Sequence, residues 1–287
     1  MTGILIVDKP AGWTSQDVAA KLRGVFHERR VGHGGTLDPM ATGVLPIFLG
    51  RATRAVPFFE SAEKEYVADI RFGLVTDTQD TTGTVLEERP VTVDAEAVRQ
   101  ALAAMVGPQL QTPPMYSAVK VGGKKLYELA RQGKEVERKA RPIELKELEL
   151  LSCDGDRASF RVLCTKGTYV RTICHDLGQR LGCGGCMSAL RRTRAGVYGI
   201  DRAFTMEQIL AGEAEILPVD SLFADFPAVT LTEAEERLCR NGNAFRKREL
   251  ADGDWRVYGP QGDFLMLGRC TGGRVSTIKS FFEVNDG

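Results

Sequence analysis

Residues 32–45 read Gly-His-Gly-Gly-Thr-Leu-Asp-Pro-Met-Ala-Thr-Gly-Val-Leu. The three glycines among the first four residues allow positive φ angles and a close approach by a ligand or another segment. Asp38 precedes Pro39, and a residue before proline is held extended, so its carboxylate projects from a stiffened backbone. The apolar run at residues 44–49 has the length of a strand. The stretch predicts a shaped loop that presents one carboxylate beside a sheet, and an ordinary glycine-rich turn is the alternative.

The size and composition of the chain restrict its class. Its 287 residues are 43% hydrophobic, which supports a large core and argues against disorder. No apolar run approaches the roughly 20 residues that a membrane span needs. Seven cysteines, an odd number, are typical of reduced thiols in a cytosol rather than of a disulfide framework. We therefore expect a cytoplasmic monomer with no membrane association and no obligate protein partner.

Charge is balanced over the whole chain but not along it. The 38 basic and 38 acidic residues give zero net charge, which argues against a protein that coats nucleic acid indiscriminately. Residues 117–146 nevertheless hold nine Lys or Arg and four Glu, whereas residues 60–96 hold ten acidic and three basic side chains. The basic segment is either a local surface for nucleic acid or a set of solvated helix faces.

Hydrophobic spacing predicts an alternation of strands and helices. Period-two alternation at residues 66–72 predicts a strand whose apolar face carries Tyr66. Further strands are expected at residues 3–7, 44–49, 143–151 and 159–164. Helices are expected at residues 168–181, with Gly182 as the stop, and after N-caps at Thr14 or Ser15 and at Asp94. A further helix is expected to begin at Thr205.

Two segments are expected to stand apart from this body. From Pro113 the chain is extended, turns at Gly122 and Gly123, and carries the basic residues with a short helix at 126–131. Residues 218–227 read as a boundary. Beyond them, a capping box at residues 232–235 and short strands at 255–257, 264–267 and 275–282 predict a small β domain.

The junction before the helix at residues 168–181 is rich in cations. It reads Lys166-Gly-Thr-Tyr-Val-Arg171, which combines two cations and a glycine with a helix N-terminus. Such an arrangement holds an anion, either a phosphate or a neighbouring carboxylate.

Taken together, the motifs resemble one family in order and spacing. The match extends over residues 3 to about 220. Its motifs lie at residues 12–15, 32–39, 65–66, 76–78, 115–118, 124–127 and 166–171. This set closely resembles the TruB family of tRNA pseudouridine synthases. One departure is Gly34, where the family usually carries Thr.

The resemblance implies a fold and a domain division. It implies an α+β protein with a mixed, largely antiparallel sheet flanked by helices, the pseudouridine synthase fold, followed by a small PUA-like β domain. Residues 1–224 would be the catalytic domain, with an RNA-binding insertion at about 120–142. Residues 225–287 would be a PUA-like domain that grips the acceptor side of tRNA.

The resemblance also implies catalytic residues and a reaction, the isomerisation of uridine 55 in the tRNA T-loop to pseudouridine. Asp38 would be the catalytic aspartate, Tyr66 would stack on the flipped base, and Arg171 would pair with Asp38. We expect no cofactor and no metal, because the reaction transfers no group and has no net redox change. Whether Asp38 attacks the base, attacks the sugar or removes a sugar proton stays open. Because an adjacent arginine favours the carboxylate, we expect its pKa below the usual value of about 3.9.

Three further residues are implied to bind the substrate. Tyr169 and Leu190 would line the pocket of the flipped base. His33 would help to hold open the stack that the nucleotide leaves. The implied partner is tRNA, contacted at its T-loop and acceptor region.

Other functional classes have weaker support in the sequence. An RNA-binding module or chaperone without chemistry is one alternative, but it does not account for Asp38, Tyr66 and Arg171 together. Cys183 and Cys186 form a Cys-x-x-Cys motif typical of a redox or zinc site, but no second pair follows at a suitable spacing. His175 is expected to be structural or at the surface.

Overall fold

The computed structural model describes residues 1–282, and its main body is built on one large mixed sheet. The strands of this body are β1 (Gly3–Lys9), β2 (Val31–His33), β3 (Thr42–Leu49), β4 (Lys64–Phe72), β5 (Leu74–Thr76), β6 (Val85–Glu88), β7 (Gly107–Gln111), β8 (Lys120–Val121), β9 (Lys124–Lys125), β10 (Arg141–Asp154), β11 (Arg157–Cys164), β12 (Gly185–Ala195) and β13 (Tyr198–Gly199).

Nine of these strands form the main sheet. Its order is β1-β3-β12-β4-β11-β10-β7, with β2 beside β3 and β13 beside β12. Only β3 and β12 pair in parallel among the described strands of this sheet, and the other pairs are antiparallel. The predicted mixed, largely antiparallel sheet is confirmed. The short pairs β5-β6 and β8-β9 lie outside it.

Seven α-helices accompany the strands in the described part of the chain. They are α1 (Ser15–Val25), α2 (Val56–Glu60), α3 (Ala95–Ala103), α4 (Leu126–Ala130), α5 (Val170–Arg180), α6 (Met206–Leu210) and α7 (Glu233–Arg240). Of these, α1, α3, α6 and α7 begin at a side-chain cap. The predicted caps Thr14 and Asp94 are confirmed, because each side chain accepts a hydrogen bond from a first-turn backbone N–H. Thr205, where a helix was predicted to begin, is the N-cap of α6. Helix α5 begins two residues later than predicted and is followed by Gly182 with φ 79°. Within residues 1–282, no helix is long and apolar enough to cross a bilayer.

No strand is predicted from the sequence where the structure has β12. This strand lies between β3 and β4 at the centre of the sheet. Its second half carries three arginines, and Arg192 is only 1% exposed. The buried guanidinium donates to the carbonyls of Val44 at 2.6 Å and Gly35 at 3.0 Å. Backbone oxygens thus provide hydrogen-bond partners for the buried guanidinium. A buried arginine is not expected from the apolar residue pattern that predicts a buried strand.

The tail forms a separate sheet, as predicted. Its strands are β14 (Ala228–Thr230), β15 (Phe245–Arg246), β16 (Gly253–Tyr258), β17 (Phe264–Thr271) and β18 (Arg274–Ser280), in the order β14-β16-β17-β18-β15. The predicted capping box of α7 is confirmed. Residues 283–287 of the predicted tail domain lie outside the described residues, and the division at 224 and 225 stays a prediction.

The tail packs on the body through apolar side chains. Leu267 and Phe281 belong to the same buried cluster as Ile4 and Phe48 of the main sheet. Phe281 also lies 5.9 Å from the ring of Phe223. The two sheets therefore share one core at their junction.

Gly43 lies where β3 crosses from β1 to β12. It pairs with Lys9 on one side and with Arg192 on the other. Its φ is 99°, and a Cβ at this position would overlap the backbone carbonyl of Arg192. Only glycine permits both the backbone conformation and the close approach.

We predict that Gly43→Ala destabilises the protein more than Gly107→Ala does. Gly107 has a similar φ of 114°, but a Cβ there has no heavy atom within 4 Å. Gly107→Ala therefore reports backbone strain alone, about 1–2 kcal/mol. Gly43→Ala adds the overlap with β12, about 1–3 kcal/mol more. Urea denaturation of both variants measures the difference, and equal losses would contradict the predicted close approach.

Candidate active site

One cavity of about 1080 Å³ gathers most of the predicted site residues. Asp38, Tyr66, Tyr169, Arg171 and Leu190 all line it. They come from the glycine-rich loop, β4, the residue before α5, α5 itself and β12. The fold therefore brings five separate predictions to one place.

His33 does not line this cavity. It ends β2, is half-buried, and its Nδ1 has no hydrogen-bond partner among the described residues. Burial lowers the pKa of its imidazole, and the charge of Arg192 adds to that effect. The predicted role of His33 beside the vacated stack stays a prediction.

Asp38 and Arg171 form a two-point ion pair. Arg171 Nε lies 2.9 Å from Asp38 Oδ2, and Arg171 Nη2 donates to Asp38 Oδ1 at 3.2 Å. The arginine side chain is 5% exposed, whereas that of Asp38 is 35% exposed. The guanidinium is therefore fixed in the wall, and it orients a carboxylate that the cavity can still reach.

Further contacts fix Arg171 itself. Its Nη1 lies 3.7 Å from Asp80 Oδ2 and donates to the Thr78 carbonyl at 3.3 Å. Its Nη2 donates to the Tyr116 carbonyl at 2.9 Å. One side chain thus connects the glycine-rich loop, the loop after β5 and the segment that begins at Pro113.

Asp80 is a site residue that sequence reasoning missed. It is 4% exposed, and its Oδ1 accepts hydrogen bonds from Thr78 Oγ1 at 2.8 Å and from the Thr82 backbone at 2.9 Å. The sequence shows only a polar loop at residues 76–84. An Asp flanked by Thr two residues away on each side was the available signal, because such side chains bond to one another in turns.

Two buried side chains, Ser15 and Lys9, anchor the loop that carries Asp38. Ser15 Oγ accepts a hydrogen bond from the Leu37 backbone at 2.8 Å. Lys9 has no exposed surface, and its Nζ donates to the carbonyls of Trp13 at 2.6 Å and Pro39 at 3.3 Å. The residues before and after Asp38 are therefore both anchored.

The expected low pKa of Asp38 is wrong in direction. Burial raises the pKa of its carboxyl above the usual 3.8, and the negative charge of Asp80 raises it further. The charge and hydrogen bond of Arg171 and the charge of Lys9 lower it but do not offset burial. A neighbouring arginine alone would lower the pKa of Asp38, but desolvation of the carboxyl outweighs it.

Two cations on another part of the cavity wall were also missed. Lys64 is 7% exposed and Arg192 is 1% exposed, and both line the cavity. Burial lowers the pKa of Lys64 to about 8, and the charge of Arg192 contributes. Lys64 lies two residues before Tyr66, so the alternation of β4 places both on one face.

The Cys-x-x-Cys motif has no feature of a redox site. Cys183 and Cys186 are both buried free thiols. Burial raises the pKa of each thiol, which disfavours the reactive thiolate. Across residues 1–282, no group of three or more His, Cys, Asp or Glu side chains could hold a metal ion.

Comparison with family models places the chain. The model for the TruB family pseudouridylate synthase N-terminal domain matches residues 23–170. The chain belongs to the TruB family. Models for the tRNA pseudouridylate synthase B C-terminal domain and the pseudouridine synthase II TruB C-terminal segment match residues 171–224 and 227–277.

Relatives of the TruB family are similar over the full length. A tRNA pseudouridine synthase B of Aromatoleum aromaticum is 46% identical, covering 94% of this chain and 89% of its own. One of Syntrophomonas wolfei is 42% identical, with 100% of both chains covered. Among solved structures, a Cbf5-Nop10-Gar1 complex matches with a TM-score of 0.73 and 26% identity, covering 98% of this chain and 85% of that chain. The fold is that of pseudouridine synthases.

We predict that Asp38 titrates above 3.8 and responds to its neighbours. Asp80→Asn removes a charge that raises the Asp38 pKa, so the pKa should fall. Arg171→Gln removes the largest influence that lowers it, so the pKa should rise. Carboxyl ¹³C NMR titration measures both shifts. Asp77→Asn is the matched control, because Asp77 lines the cavity but is not among the causes of the Asp38 shift.

A titration of Asp38 below the ordinary aspartate value would contradict this account. So would an Asp38 pKa that stays the same in Asp80→Asn.

Proposed function

We propose that this chain isomerises uridine 55 in the T-loop of tRNA to pseudouridine. The observation that carries the proposal is the two-point ion pair between Asp38 and Arg171 in a large cavity. The full-length similarity to proteins named tRNA pseudouridine synthase B supports the substrate.

The reaction needs one ionised carboxylate more than any other group. The bond between N1 and C1′ breaks, the base rotates, C5 bonds to C1′, C5 loses its proton and N1 gains one. Asp38 can act as a nucleophile on the base or the sugar, or can remove a sugar proton. All three routes need the charged form and a fixed position, which Arg171 supplies.

The target uridine must leave the base stack of the RNA to reach Asp38. We propose that Tyr66 stacks on the flipped base, and that Tyr169 and Leu190 form the rest of its pocket. All three line the cavity beside Asp38. Tyr66 is 9% exposed, so its ring is held firmly by the core while its surface meets the cavity. A rigid aromatic surface can replace the stacking that the flipped base loses.

The basic excursion at about 120–142 is proposed to hold the RNA over the cavity. Lys125, Tyr127 and Arg131 line the cavity, so the excursion borders the site. The ring of Tyr127 lies 5.3 Å from Lys125 Nζ and 5.6 Å from the Arg131 guanidinium carbon. Cations gathered on an aromatic ring present both charge for phosphates and a surface for bases. For residues 225–287, a PUA-like grip on the acceptor side stays a proposal.

We predict that the protein converts uridine 55 in an unmodified tRNA transcript. Pseudouridine is mapped by carbodiimide modification and primer extension. The control transcript has cytidine in place of uridine 55 and keeps the other uridines of the tRNA. It should stay unmodified. No pseudouridine in either transcript would contradict the reaction, and modification of the control would contradict the position.

A further inference from the structure

Lys64 and Arg192, named here the cationic pair, carry two charges in the cavity wall without acidic partners. Neither forms an ion pair with any side chain in the part of the chain that the structure describes. Lys64 Nζ donates to the carbonyls of Glu60 at 3.1 Å and Ala62 at 2.6 Å. Arg192 donates to the carbonyls of Val44 and Gly35. Arg171, by contrast, has two carboxylate partners.

Burying two cations without acidic partners lowers the stability of the folded protein. Buried charges in proteins are paired, because an unpaired charge loses its hydration without recovering a Coulombic partner. The pair also has unused donors. An ammonium has three N–H groups and a guanidinium has five, and backbone carbonyls take two of each. A pair of this kind is suited to a negative charge that arrives in the cavity.

The cationic pair lies beside the glycine-rich loop and Tyr66. A Cβ on Gly35 would lie 3.5 Å from Arg192 Nη1 and 3.7 Å from Lys64 Cε. Burial raises the pKa of the Tyr66 hydroxyl, the nearby charge of Arg192 lowers it, and the charge of Asp38 raises it. A base stacked on Tyr66 is therefore within reach of the field of the cationic pair.

We propose that the cationic pair stabilises the uracil anion that forms when the bond between C1′ and N1 breaks. This inference rests on the proposed function. The bonding electron pair stays on N1, and its charge spreads to the carbonyl oxygens of the base. Asp38 either bonds to C1′ or takes a sugar proton. The anion is consumed when C5 bonds to C1′, and in that step Asp38 leaves C1′ or the sugar proton that it took returns to C2′. C5 then loses its proton and N1 gains one, so no net proton is lost and the cations give up none.

The cavity has two parts that differ in charge, one with the Asp38–Arg171 ion pair and one with the cationic pair. The carboxylate of Asp38 cannot stabilise an anion, and Arg171 is occupied by Asp38 and Asp80. The cationic pair has backbone carbonyls as its partners and forms no ion pair within residues 1–282, so it can act on the leaving group. Fixed charges aimed at developing charge, in a site that excludes water, are a large source of catalysis.

The test compares uridine with 5-fluorouridine at position 55. Fluorine withdraws electrons and stabilises the uracil anion by itself, so a protein without Lys64 should depend on it more. For Lys64→Gln we expect single-turnover loss of the parent nucleoside to slow by about 10²-fold with uridine. With 5-fluorouridine the slowing should be under about tenfold. Nucleoside mass spectrometry after digestion measures both rates.

Controls separate charge from structure. Lys64→Arg keeps the charge and should recover most of the rate. Lys64→Met is measured beside Lys64→Gln, because its unbranched side chain keeps the buried stem if the amide disturbs folding. Lys166→Gln is the matched control, because it removes an exposed cation from the same cavity wall. It should weaken tRNA binding and slow both nucleosides equally.

Equal slowing of uridine and 5-fluorouridine in the Lys64 variants would overturn the inference and leave a structural role. Weaker tRNA binding with an unchanged rate at saturation would also overturn it, and would assign the pair to an RNA phosphate. An inactive wild-type protein in the same assay would instead contradict the proposed function.

Discussion

The buried guanidinium of Arg171 is the contact on which the site depends. It holds Asp38 by two atoms, lies near Asp80, and donates to the carbonyls of Thr78 and Tyr116. These partners belong to three segments that are far apart in the sequence. Their common position follows from α5, which packs on the main sheet and begins at Val170, next to the arginine.

The carboxylates near this contact are paired with Arg171, and the other buried cations have backbone partners. The carboxylates of Asp38 and Asp80 meet at Arg171, while Lys9, Lys64 and Arg192 are buried with backbone oxygens as partners. Arg171 and Lys9 favour an ionised Asp38, although burial raises its pKa. The site can therefore hold a reactive carboxylate that is poorly hydrated, and poor hydration strengthens its electrostatic interactions.

Local patterns predicted much of the fold. The alternation of β4, the caps of α1 and α3, and the stop at Gly182 depend on neighbouring residues and are confirmed. The strand β12 was missed because its arginines break the apolar pattern. Arg192 is buried only because β3 and the glycine-rich loop supply carbonyls, and such long-range partners are invisible in the sequence.

The site was predicted in part, because some of its features depend on residues that are distant in the sequence. Asp38 and Arg171 were expected to pair, and they do, because the loop before Pro39 and the start of α5 are both recognisable. The direction of the Asp38 pKa was wrong because it depends on how deeply the fold buries the carboxyl. Lys64 and Asp80 were missed because each acts through tertiary neighbours, although the alternation of β4 already placed Lys64 beside Tyr66.

The most direct test of this account separates binding from chemistry at Asp38. Asp38→Asn keeps the shape of the side chain and removes the charge that every proposed route needs. Filter retention measures tRNA affinity, and tritium release from C5-labelled uridine measures turnover, on one protein preparation. We predict near wild-type affinity with turnover reduced by at least about 10³-fold, since about 1.36 kcal/mol of lost transition-state stabilisation costs each factor of ten. Turnover that stays close to the wild-type rate would contradict the account.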